Sequence, residues 1–142
     1  MKKVIRIILF LMISIFSLAA LKDGSYYVEC KPVDGWQPFL KLIIKNEKII
    51  GAQYDRKNTQ SQLLSIDPSN NDSFKDKNGI SFRDVSFSLT RSLIKTQDVN
   101  AIEDSRVPEL THEFKTMMKF LIEKANSGTT GNFTMWFFRT LF

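Results

Sequence analysis

Residues 39–54 read Phe39-Leu40-Lys41-Leu42-Ile43-Ile44-Lys45-Asn46-Glu47-Lys48-Ile49-Ile50-Gly51-Ala52-Gln53-Tyr54. Two β-prone runs, Phe39 to Lys45 and Lys48 to Tyr54, flank the two-residue connector Asn46-Glu47, a spacing that predicts an antiparallel hairpin. Asn-Glu is a weaker turn signal than Asn-Gly. Leu42, Ile43 and Ile44 follow one another without a polar break, so both faces of this strand are apolar and it is expected in the interior of the sheet. Upstream, Ser25 to Lys31 reads as a further strand, followed by a turn at Val33-Asp34-Gly35-Trp36.

Downstream the chain turns polar, with Arg56 to Ser61 read as loop. Asp67-Pro68 offers an N-cap and a first-turn proline, and Asn78-Gly79 a stop, so a short surface helix is predicted from Pro68 to Lys77. Ser81-Phe82-Arg83-Asp84 resembles a capping box, and Phe82, Val85, Leu89 and Leu93 then share one helix face through Thr96. A second long helix is predicted from Thr111 to Asn126, where Phe114, Met117, Met118, Leu121, Ile122 and Ala125 fall at helical spacing. Thr111 is its expected cap and Gly128 its end. The Met117-Met118 pair fits a core stripe or a ligand pocket. The aromatic tail from Asn132 to Phe142 is read as a final strand. The fold class that results is α+β: an antiparallel β-sheet with the two long amphipathic helices packed on one face.

The first twenty residues differ from the rest. Met1 to Arg6 is basic, Ile7 to Leu18 is apolar except for Ser14 and Ser17, and Ala19-Ala20 follows, the three parts of a secretory signal peptide. Cleavage after Ala19 or after Ala20 leaves one domain, residues 21–142, with the tail 129–142 as its last strand; the alternative is an uncleaved membrane anchor. Of the net charge of +5 over 142 residues, Lys2, Lys3 and Arg6 supply three, so the mature protein is only slightly basic and the electrostatic argument for nucleic-acid binding falls away. With 43% hydrophobic and 25% charged residues, neither a disordered tail nor a polytopic membrane protein fits. The localisation expected is secreted or periplasmic, without a lipid-anchoring cysteine, since the single cysteine is Cys30. One cysteine cannot form an internal disulfide, so Cys30 is read as a half-buried small strand hydrophobe, with an intermolecular bridge or a reactive thiol as the alternative.

The single histidine, His112, has no second histidine or cysteine to share a zinc ion and no arrangement for nucleophilic catalysis. No phosphate-binding loop or dinucleotide fingerprint is present. Glu103, Asp104, Glu109 and Glu113 surround Arg106 in sequence, read as a solvated acidic loop or a divalent-ion site. No metal ligand and no catalytic residue is assigned.

Three stretches, in order, resemble the bacterial extracytoplasmic FMN-binding domain of flavin-carrying surface lipoproteins and electron-transfer complexes. They are Asp23-Gly24-Ser25-Tyr26; Gly35-Trp36-Gln37-Pro38 leading into the hairpin; and Gly79-Ile80-Ser81 with the following helix and Val99-Asn100-Ala101-Ile102. The resemblance spans roughly Asp23 to Gly128 and implies an exported flavin module that transfers electrons. It departs at the attachment motif, where the family's Ser-Gly-Ala-Thr is replaced by Glu103-Asp104-Ser105-Arg106-Val107-Pro108. Counted back from Phe114, the acceptor threonine falls on Pro108, which has no hydroxyl to esterify. Ser127-Gly128-Thr129-Thr130 resembles the motif in letters, with Thr130 as acceptor, and is equally a helix end with polar neighbours. What the resemblance leaves is noncovalent FMN, with Trp36 or Tyr27 stacking on the ring and Ser105, Thr111 and the helix N-terminus holding the phosphate. The alternative is a cofactor-less interaction or ligand-binding module of the cell envelope, with a small ligand, a redox protein or a surface protein as partner.

Overall fold

The computed structural model of the chain describes residues 20–103 and 105–136. Nearly all of the predicted signal segment, Asp104 and the last part of the aromatic tail lie outside the described residues. In chain order the elements are β1 (Gly24–Cys30), β2 (Gln37–Lys45), β3 (Lys48–Lys57), a 3-10 turn (Leu64–Ile66), α1 (Pro68–Asn78), α2 (Phe82–Thr96), a second 3-10 turn (Val99–Ala101), α3 (Pro108–Ser127) and β4 (Gly131–Met135). The four strands form one sheet in the order β3-β2-β1-β4. The predicted α+β class is the one observed.

The hairpin is where the sequence places it, with Lys45 opposite Lys48 across Asn46-Glu47. Both turn residues are left-handed, Asn46 at φ 52° and Glu47 at φ 63°. That backbone matches the strand twist, and only the glutamate is out of place in it, because a side chain disfavours this region. Beyond the turn, Ile44 faces Ile49 but Ile43 faces Gly51, so Ile50 bulges out and is exposed.

Among the described residues, the three helices lie on one face. Tyr26, Val28, Leu40, Leu42 and Tyr54 of the sheet meet Phe82, Val85, Leu89 and Leu93 of α2 and Phe114, Met117, Met118 and Leu121 of α3 in one buried cluster. The methionine pair is therefore core, fully buried under the sheet. Among the described residues, the other face carries no helix. β2 is interior in strand order, as its sequence leads one to expect, while Ile43 on the helix-free face is 43% exposed.

The sheet is mostly antiparallel, with one departure. β4 runs parallel to β1, pairing Tyr26 with Gly131 and Cys30 with Met135. The reason is the length of α3. Near its start Glu113 meets Arg56 at the Cys30 end of the sheet, and near its end the Ala125 carbonyl accepts from Lys22 N–H at 3.0 Å beside the start of β1. A 20-residue helix thus returns the chain to the start of β1, and a strand leaving from there can only run alongside it.

The caps of α1 and α2 follow the sequence. Asp67 accepts from Asn70 N–H at 3.0 Å, Ser81 from Asp84 N–H at 3.1 Å, and Gly79 ends α1 at φ 74°. The start of α3 does not. It opens at Pro108 behind Val107, which supplies no side-chain cap, and Thr111 is buried one turn inside the helix. The hydroxyl expected to cap α3 is drawn inward instead.

Candidate functional site

Two regions gather polar side chains. The first lies at the end of the sheet where β1 and β3 finish and α3 begins. Tyr54 and Arg56 project from β3 toward the helices, and Glu113 of α3 meets both. Tyr54 donates to Glu113 Oε1 at 2.6 Å, while Arg56 Nη2 reaches Oε1 at 3.2 Å and Oε2 at 3.0 Å. Burial raises the Tyr54 phenol well above its ordinary range, and the Glu113 charge adds to it. Burial works against the Arg56 charge, but Glu113 and Tyr54 outweigh it and its pKa rises. Cys30 is buried nearby, its thiol pushed up to about 12 mainly by burial and further by Glu113. A thiol that resists ionisation is a poor nucleophile, so Cys30 acts as strand packing.

Of the acidic residues read as one solvated loop, Glu103 and Glu109 are exposed but Glu113 is turned inward as the partner of a buried arginine. Among the described residues no three His, Cys, Asp or Glu side chains stand where they could hold a metal ion, and His112 is exposed. Nor, among the described residues, is any helix long and apolar enough to cross a membrane.

The residues expected to hold a flavin are only partly brought together. Ser105 and Thr111 meet at the opening of α3: Ser105 N–H donates to Thr111 Oγ1 at 2.9 Å, Thr111 Oγ1 to Ser105 Oγ at 2.8 Å, and Ser105 Oγ to the Val107 carbonyl at 2.9 Å. Val107 N–H returns a bond to Ser105 Oγ at 3.1 Å, so both hydroxyls are engaged within the loop. Trp36 is half-buried at the same end of the sheet, in a turn where its backbone and that of Val33 exchange bonds of 2.7 and 3.0 Å. Thr130 stands at the opposite end, exposed between α3 and β4. A Cβ on Gly24 would come within 2.9 Å of its methyl group, which fixes Thr130 beside the start of β1.

The second region, on the bare face of the sheet, holds Tyr27, the other residue expected to stack on a flavin ring, away from Ser105 and Thr111 and among partners the sequence does not indicate. Tyr27 and Glu29 of β1, Phe39 of β2, Lys57 of β3 and Asn132 and Thr134 of β4 share that face by register. Lys57 Nζ donates to Glu29 Oε2 at 2.8 Å and to the Tyr27 hydroxyl at 3.0 Å, while that hydroxyl donates to Glu29 Oε2 at 2.9 Å. The Lys57 bond holds the Glu29 carboxyl below its ordinary range, and the Glu29 bond raises the Lys57 ammonium. Beneath them Tyr27 stacks on Phe39 with ring centres 5.8 Å apart. Between Tyr27, Glu29 and Lys57 on one side and residues 132–134 of β4 on the other lies an open cleft of about 270 Å³. A broader groove of about 400 Å³ runs along α2 beside Phe87 and Ile94.

Sequence reading missed the cleft because it ended β3 at Tyr54. Asp55-Arg56-Lys57 is β-poor and charged, yet each is held in the strand by a specific partner: Ser65, Glu113 and Glu29. The available signal was the continued alternation of Tyr54, Arg56 and Asp55, Lys57 across the two faces.

Fold and site together define a small α+β domain with helices on one sheet face and a polar cleft on the other. No protein-family model matches the chain, and neither does any curated protein. It is similar in fold to the crystal structure of the CPE2226 protein from Clostridium perfringens, with a TM-score of 0.77 and 24% identity over 83% of this chain and 99% of that one. A solution NMR structure of a protein from Clostridium thermocellum overlays more loosely, with a TM-score of 0.48 and 17% identity over 74% of this chain and 92% of that one. The first likeness is one of fold alone.

Proposed function

We propose that the chain is an exported binding module of the cell envelope, built on an FMN-binding-domain-like scaffold and working without a bound cofactor. The observation that carries this reading is the closed circuit at the opening of α3. Ser105 and Thr111, the hydroxyls on which a flavin phosphate would depend, bond to each other and to the loop backbone. The resemblance puts the acceptor hydroxyl at Pro108, which has none and opens the helix without an N–H. Leu110 and Thr111 N–H both turn back to the Val107 carbonyl, leaving the helix start few free donors for an anion. Groups free to meet a partner stand on the bare sheet face.

A second reading, a noncovalent flavin carrier that transfers electrons, is favoured by the position of Trp36 at the same end as Ser105 and Thr111. Titration of the purified protein with FMN separates the two. The binding-module reading expects flavin fluorescence to stay unquenched and the protein colourless. Saturable quenching, with colour lost on desalting, establishes the carrier instead. Colour that survives denaturation would mean a covalent flavin and make Thr130 the residue to substitute. The mass of the protein recovered from an exporting host tests cleavage after Ala19 or Ala20.

A further inference from the structure

We propose that the cleft on the bare sheet face, between Tyr27–Glu29–Lys57 and β4, is a binding site for one ring of a neutral, hydroxyl-rich ligand of the saccharide class. The proposal rests on the reading of the chain as a binding module and names the ligand chemistry.

Four observations converge. The first is charge. Among the residues lining the cleft the charges are Glu29 and Lys57, 2.8 Å apart, so a charged ligand of either sign meets one attractive and one repulsive group there. The second is the inventory of unused hydrogen-bonding groups. Lys57 has three N–H donors and two are engaged, by Glu29 and Tyr27. Among the described residues, the Asn132 amide and the Thr134 hydroxyl make no bond at all, and both stand on this face beside Tyr27 and Glu29. Donors and acceptors are therefore both present around the cleft, and a ligand hydroxyl, which both donates and accepts, matches either kind.

The third observation is shape. The cleft measures about 270 Å³, below the ~300–1,000 Å³ of pockets that enclose a drug-sized molecule, so it takes a single ring and leaves the rest of a chain outside. The fourth is the wall. Tyr27 packs one ring face on Phe39 of β2, while Asn132 flanks it from β4 on the other side. The ring is held in place and is part of the wall of the cleft, where aromatic surface suits the C–H groups of a sugar. The hydroxyl of that same tyrosine is fixed by Lys57 and Glu29, so the site is set before a ligand arrives.

The test is a titration of the isotope-labelled mature protein with N,N′-diacetylchitobiose and with maltose, followed by amide chemical shifts; sodium acetate and ethylammonium chloride serve as charged probes. Saturable shifts confined to Tyr27, Glu29, Asn132 and Thr134 are expected with at least one disaccharide, with Kd in the millimolar range. Asn132→Ala and Thr134→Ala, both at exposed positions, should each weaken binding about three- to tenfold while leaving the remaining spectrum in place. Lys57→Met should weaken disaccharide binding and raise the affinity for ethylammonium by exposing the Glu29 charge. Tighter saturation of the cleft by either charged probe than by both disaccharides overturns the ligand class and leaves the binding module standing. A cleft silent to all four probes overturns the site, and FMN-dependent shifts around Trp36 in the same sample would also overturn the cofactor-free reading.

Discussion

Along the outer edge of β3 the chain folds back on itself, whereas the outer edge of β4 has no strand, turn or helix against it among the described residues. At one end of β3 the Gln97 side-chain amide acts as a short strand, accepting from Ile49 N–H at 2.8 Å and donating to the Ile49 carbonyl at 2.9 Å. At the other end Leu63 bridges Lys57, and Asp55 takes Ser65 N–H at 3.1 Å and Ser65 Oγ at 2.5 Å. Asn71 and Arg83 then fix the neighbouring carbonyls of Leu64 and Ser65, at 2.6 and 2.8 Å. β4 has nothing comparable. It is five residues long, carries no charge, and is tied to the helices through Phe133, which meets Phe120 edge-on at 5.6 Å. Unpaired strand edges invite other chains, and proteins that leave one open generally keep it short. One edge is closed by dedicated side chains; the other is left as the rim of the cleft.

The largest blow to the closed side should come from Glu113→Ala. It strands the Arg56 guanidinium and the Tyr54 hydroxyl, both largely buried on β3, and should cost about 3 kcal/mol in urea unfolding. A loss below about 1 kcal/mol would show that β3 does not depend on α3 for its anchorage. Next, Gln97→Ala should cost about 1–2 kcal/mol and speed hydrogen exchange at Ile49 above that of the β1–β2 ladder. If Ile49 exchange is unchanged, the side-chain clamp is not what protects this edge. Phe133→Ala should lower global stability by only about 1 kcal/mol while β4 amides exchange rapidly. Uniform acceleration throughout the sheet would mean that β4 is as integral as β3.

The smallest effect is the pH dependence of the cleft. The folded pKa of Glu29 is depressed, so its contribution is present above the ordinary 4.5 and is lost as pH falls through the folded value. Lys57 is raised, so its contribution is present below the ordinary 10.5 and is lost as pH rises through the folded value. The pair is partly exposed, so its removal by Lys57→Met at neutral pH should cost less than about 1 kcal/mol. At acid pH wild type and Lys57→Met should converge in stability. A constant gap down to low pH would assign the effect to packing of the lysine stem on Phe39.

Local chemistry made much of the fold legible. The hairpin shows itself in the two β-prone runs on either side of Asn46-Glu47, α2 in its Ser81 cap and apolar stripe, and the end of α3 in Gly128 at φ 70°. What escaped depended on partners distant in sequence. Thr111 looks like a cap by its neighbours, but Ser105 draws it inside. Glu113 reads as one of several acids until Arg56 comes beside it, and Lys57 reads as loop until Glu29 does. The direction of β4 is absent from its own five residues, because the geometry of α3 decides it. The positions expected from sequence to hold a flavin are split for the same reason, with Ser105 and Thr111 joined and Thr130 at the far end of the sheet.

The parallel pairing of the first and last strands also sets a timetable. Tyr26 and Gly131 are neighbours across the ladder but about a hundred residues apart along the chain, the most expensive loop in the molecule to close. The β2–β3 hairpin, whose ends meet across two residues, can form as soon as it is made. β1 must therefore wait with one side open until the final helix has been laid down, and an emerging chain is most vulnerable to misassociation in that interval. We expect the timing to be visible in kinetics: Phe133→Ala should hasten unfolding and leave the folding rate unchanged, and a matching loss in folding rate would place β4 in the nucleus instead.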